Sequence, residues 1–142
     1  MDDLPVFELG FPGPLRDRLV AAVLDGSKTT TAGLAQDYEI EGKPLPVPGR
    51  RAAVIDSAGA PVAVIEIVDV RVVRLDAVDL RHAIDEGEGD ESVADWRRGH
   101  EGFWHGADYR GWLGDPEFTV ADDTPVVLQR FRVVDQTPEI RE

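Results

Sequence analysis

The sequence predicts an α+β fold, and three patterns carry that expectation. An apolar stripe of helical spacing occupies residues 15–24. A long run of β-branched residues follows a short strand between residues 52 and 73. An aromatic-faced helical segment at residues 93–105 precedes a final alternating strand at residues 126–134. Few helices separate the strands, and the central strand is long and interrupted in phase. That order suits an α+β domain built around a small curled sheet or barrel.

The elements follow in chain order. Residues 1–13 contain Pro5 and Pro12, and Phe7, Leu9 and Phe11 alternate, so a short strand or tacked-down arm is expected. Pro14 suits the first turn of a helix. Leu15, Leu19 and Val23, with Val20 and Leu24, recur at three and four residues. Gly26 stops that helix. Thr29-Thr30-Thr31 then favours extended backbone, because branching at Cβ suits the pleat. In a strand, Thr29 and Thr31 share one face and Lys28 and Thr30 the other, so a meeting of Lys28 with Thr31 needs a local bend. Gly42, Pro44, Pro46, Pro48 and Gly49 mark residues 35–50 as a long irregular connection, of the kind that often borders a site.

Residues 52–55 and 61–73 read as a hairpin turning at residues 56–60. Glu66 and Asp69 break the alternation, which predicts a bulge or bend between them. Residues 75–84 are weakly helical. Ser92 is a good N-cap, with Asp95 three residues on as an approximate capping box. Val93, Trp96, His100, Phe103 and Trp104 then recur at helical spacing. Residues 106–123 are rich in Gly and Asp and read as loop, and residues 135–142 as a polar tail.

At 142 residues the chain is expected to be one domain, with its core at about residues 7–134. The 28 acids outnumber the 15 bases, for a net charge of −13, which argues against DNA binding and against broad electrostatic binding of RNA. No apolar run reaches the roughly 20 residues of a membrane span. The acidic start lacks the pattern of a signal peptide, and with no cysteine there is no disulfide, so the cytoplasm is the expected compartment. His82, His100 and His105 lack a ligand motif, and the acidic turn lacks calcium-loop spacing. Neither a metal nor another cofactor is expected.

Three motifs stand in order along the chain. Gly26-Ser27-Lys28-Thr29-Thr30-Thr31 follows a helix, and Gly42-Lys43-Pro44-Leu45-Pro46 precedes a strand. Glu86-Gly87-Glu88-Gly89-Asp90 leads into Ser92, Trp96-Arg97-Arg98 and His100. Together they resemble the ASCH domain family, which is similar in fold to PUA domains. The resemblance implies a PUA-like small β-barrel with flanking helices, and a cleft that accepts a nucleoside, a nucleotide or single-stranded RNA. Characterised members include amidohydrolases that deacylate modified cytidine such as N4-acetylcytidine, and others that cleave RNA. In the amidohydrolases a Lys, a Thr and a Glu act together. By the resemblance these fall on Lys28, Thr31 and either Glu88 or Glu86, with Glu88 favoured because two glycines flank it. An arginine two residues beyond the Thr in those relatives is Gly33 here.

The residues fit such chemistry in outline. Amide hydrolysis needs a nucleophile, a base and help for the leaving amine. A hydroxyl needs a base, a lysine serves as base only when its surroundings favour the neutral form, and a carboxylate can orient the lysine or donate a proton. Thr29, Thr30, Tyr38, Arg50, Arg97 and His100 are the expected substrate contacts. The competing expectation is an RNA-binding or RNA-cleaving module in which Lys28, Arg50, Arg51, Arg97 and Arg98 meet phosphate. A ligand-binding domain without catalysis is the third.

Overall fold

A computed structural model of the chain describes residues 4–136. The strands are β1 (Val6–Phe7), β2 (Thr30–Leu34), β3 (Arg51–Ile55), β4 (Pro61–Arg74) and β5 (Pro125–Asp135). The helices are α1 (Pro14–Asp25), α2 (Ala35–Ile40), α3 (Leu80–Asp85), α4 (Val93–Trp104) and α5 (Ala107–Leu113), with a 3-10 turn at Leu75–Ala77. One mixed sheet runs in the order β1-β3-β4-β5-β2. β1 pairs parallel with β3, and every other pairing is antiparallel.

The α+β class is as expected, but the sheet does not close into a barrel. Closure would require β1 to pair with β2. β1 is two residues long, and α3 meets the start of the free β2 edge. There the Thr29 amide donates to the Asp85 carbonyl at 2.8 Å, and Thr30 Oγ1 donates to the His82 carbonyl at 3.0 Å. The expected phase change in β4 is a register shift between Ile67 and Asp69.

Alternation along β5 feeds two apolar clusters. Phe131 joins Phe7, Leu19, Val23, Val54 and Ile65 beneath α1. Val126 and Leu128 join Leu34, Leu75, Trp96, Trp104 and Tyr109 beneath α4 and α5. Burying an aromatic side chain this fully contributes roughly 2–3 kcal/mol each, so the α4 face holds itself on the sheet.

Two helices depart from the expected loops. α2 opens the connection expected to be irregular from residue 35, and α5 lies inside the segment expected to be loop from residue 106. They brace each other. Tyr109 Oη donates to Asp37 Oδ1 at 2.5 Å and accepts from Gln36 Nε2 at 3.1 Å. Neither helix is long enough to persist alone, so this tertiary contact supplies what local sequence does not. Most of the polar tail, residues 137–142, lies outside the described residues.

Candidate functional site

The turn after α1 sets Lys28. Gly26 takes φ 90° and its amide donates to the Val23 carbonyl, ending the helix. The Lys28 amide then donates to the Ala22 carbonyl at 3.1 Å, folding the chain back under the helix end. The Lys28 side chain is buried, with Nζ 3.4 Å from the Glu86 carbonyl oxygen and 3.8 Å from Glu86 Oε1. Gly87 makes this approach possible. It takes φ 74°, and a Cβ there would stand 2.4 Å from the Ser27 carbonyl oxygen. The acidic turn therefore lies directly on the backbone of the Ser27-Lys28 step.

The Glu86 carboxylate is also buried and is held from two helices. His82, one turn earlier on α3, approaches Oε2 with Nε2 at 2.7 Å. His100, on α4, approaches Oε1 with Nε2 at 3.1 Å. Burial alone would push the Glu86 carboxyl up, but hydrogen bonds from His100 and His82 and the Lys28 charge outweigh it and hold it well below the ordinary range. An ionised carboxylate only accepts, so both histidines present N–H to it. His100 Nδ1 also faces an acceptor, the Trp96 carbonyl at 2.9 Å. Both of its nitrogens then carry protons, so the ring is a cation. Burial works against that charge, and the Glu86 hydrogen bond and charge win, raising its pKa. Trp96 stacks on the ring at 4.1 Å and fixes its plane.

The expected site residues separate into groups. Lys28, Glu86 and His100 come together, with Glu88 exposed beside them. Thr30 is buried against α3, and Thr29 Oγ1 lies 3.4 Å from the Asp85 carbonyl. Thr31 pairs with Gln129 across β2–β5, on the face opposite Thr30, and makes no side-chain hydrogen bond among the described residues. Tyr38 accepts from Gln129 Nε2 at 3.2 Å, and burial and neighbouring acids push its hydroxyl up to about 12. Arg50 is exposed on the strand side of the long connection. Arg97 is engaged by Glu101 and Asp122, each at 2.8 Å, Arg98 by Asp95, and Arg51 by Glu66 at 3.5 Å. His82 was not among the expected site residues. Its signal was its place four residues before Glu86, which puts both on one face of a helical turn.

Ligand atoms of Glu86, Glu88 and His100 lie within 4.8 Å of one another. The Lys28 ammonium and the His100 cation already neutralise that carboxylate, so the donor set is better matched to an ion-pair cluster than to a divalent ion. A cavity of about 270 Å³ is lined by Leu24, Lys28, Thr29, Phe131 and Arg132. Its lining includes neither Glu86 nor His100.

The chain resembles solved structures along almost its whole length. A crystal structure of a protein from Enterococcus faecalis V583 superimposes with a TM-score of 0.83 at 25% identity, covering 99% of this chain and 82% of that one. The ASCH domain of Lactobacillus crispatus JV V101 gives a TM-score of 0.77 at 27% identity, covering 92% and 79%. A mutant form of an ASCH protein from Zymomonas mobilis, at 14% identity and a TM-score of 0.51 over 96% and 79%, shares the fold. No curated protein matches the sequence. With residues 8–135 matching the family model of the ASCH domain, the chain belongs to the ASCH domain family.

Proposed function

We propose that this protein is a small amidohydrolase that removes an acyl group from the exocyclic nitrogen of a cytidine-type nucleoside, at the Lys28–Glu86–His100 cluster. The observation that carries this reading is the buried Lys28–Glu86 pair, closed on its outer side by the His100 cation and the exposed Glu88 carboxylate.

Glu86 has its oxygens taken by His82, His100 and Lys28, so it serves as a fixed anion and not as the base. Glu88 has its carboxylate free to reach a substrate. In this reading Glu88 takes a proton from water, and the water oxygen bonds to the acyl carbon. The C–N bond breaks, and the exocyclic nitrogen leaves with the proton that Glu88 took from water. The products are a free carboxylic acid and the nucleoside amine, and Glu88 is again ionised, while His100 stays the cation that holds Glu86 in place. Thr31 stands apart from the cluster, so water is the nucleophile that the geometry supports. The chain carries Gly33 where related amidases carry arginine, on the Thr31 face of β2, and a Cβ there would meet nothing within 4 Å.

The test is acetate release from N4-acetylcytidine by the wild type, Lys28→Ala, Glu88→Gln and Thr31→Val. Turnover lost in the first two variants and kept within about threefold in Thr31→Val supports the reading. No wild-type turnover on any acylated nucleoside ends it. The phosphate-binding alternative has less support, because Arg51, Arg97 and Arg98 are engaged by carboxylates. Tight, salt-sensitive binding of single-stranded RNA would restore it.

A further inference from the structure

We propose that His82 is the positioning residue of this site, fixing the Glu86 carboxylate so that Oε1 alone is left to Lys28 and His100. The assignment rests on reading Glu86 as the fixed anion of the proposed site, but not on which substrate is turned over.

Three features of His82 support it. Its ring is buried, and Nε2 makes the shortest contact to Glu86, 2.7 Å against 3.1 Å from His100 and 3.8 Å from Lys28. It takes Oε2, whereas the other two share Oε1, so it sets the rotation of the carboxylate about its last bond. Its carbonyl, meanwhile, accepts from Thr30 Oγ1 at 3.0 Å. One residue therefore ties α3 to the threonine strand from its main chain and to the fixed Glu86 carboxylate from its side chain. A histidine retained only to fill the core would need no donor aimed at a buried anion. A leucine would pack the same space without desolvating a polar ring.

The groups facing this pair come from four segments. Lys28 approaches Glu86 from the turn before β2, and His82 and His100 from α3 and α4. Glu88 acts on His100 from the acidic turn, while Asp90 faces both His100 and Glu86 and is itself offset by Arg98. With His82 removed, Glu86 loses its anchor at Oε2 and is free to turn. The Glu86–His100 pair then loosens.

The experiment is an NMR titration of the His100 ring in the full chain, for the wild type, His82→Leu, His82→Asn and His82→Gln, with far-UV circular dichroism to verify folding. Glutamine can place an N–H near the original Nε2, and asparagine is one methylene short. Loss of the anchor in His82→Leu, and in His82→Asn should the leucine variant not fold, is expected to lower the His100 midpoint by about half a unit or more. His82→Gln is expected to restore it to nearly the wild-type value. A folded His82→Leu or His82→Asn whose His100 midpoint is unchanged or higher overturns the proposal. Kinetics give a second reading, in which His82→Asn lowers kcat about tenfold and leaves KM nearly unchanged. If the wild type turns over no acylated nucleoside, the amidohydrolase reading falls, while the titration still decides the role of His82.

Discussion

Gly87 is the residue on which the site's assembly turns. Its positive φ and the 2.4 Å gap to the Ser27 carbonyl leave no room for a side chain, and that carbonyl is backbone that cannot swing aside. Gly87→Ala is expected to destabilise the fold by about 1–3 kcal/mol. It should also part Glu86 from Lys28, so activity should fall further than stability, as urea unfolding beside an activity assay would show. Removing Glu86 strands the buried Lys28 cation, and a buried pair broken in this way typically costs about 3–5 kcal/mol.

The same cluster makes stability depend on pH from both sides. The Glu86 carboxyl is lowered from its ordinary 4.5. Its contribution is complete above that value and is lost as pH falls toward the depressed folded pKa. His100 is raised from its ordinary 6.5. Its contribution is complete below that value and is lost as pH rises through the elevated folded pKa. Thermal stability is therefore expected to peak between about pH 5 and pH 6.5. His100→Gln should flatten the alkaline decline and also shrink the acid one, because the His100 hydrogen bond and charge help hold Glu86 low, as melting curves across pH would reveal.

At the scale of elements, α4 carries Trp96 and His100 into the site, and its start is set by Ser92, whose side chain accepts from the Asp95 amide at 3.0 Å. Ser92→Ala should cost about 1 kcal/mol and lower Tm by about 3 °C. This cap was readable in the sequence because its chemistry is local. So was the start of α1, from Pro14 and a stripe with a fixed period, and so was the β4 bulge, from the break in alternation at Glu66 and Asp69. α2 and α5 were not readable. Gly42 and its prolines lie just beyond α2, Gly106 and Gly114 bound α5, and the two are secured by the Tyr109–Asp37 contact across 72 residues of chain. The open sheet was hidden for a similar reason, since α3 meets the start of the β2 edge only once the chain has folded. In the site, Lys28 and the Glu86-Gly87-Glu88 turn stood out as motifs. His82 did not, because only the folded position of Glu86 reveals what its ring is for.

At the scale of the whole molecule, a net charge of −13 surrounds a buried cluster with two cations and one carboxylate. Such a surface repels polyanions at long range, while the charges within the cluster largely cancel and suit a small neutral ligand. Binding of single-stranded RNA at physiological salt is expected to be weak, with little change as salt falls, and fluorescence anisotropy across a salt series would measure it. Whether amide hydrolysis occurs at the Lys28–Glu86–His100 cluster is decided by acetate release from N4-acetylcytidine by the wild type and Lys28→Ala. Release by the wild type and none by a folded Lys28→Ala is expected, and equal release by the two proteins would place the hydrolysis elsewhere.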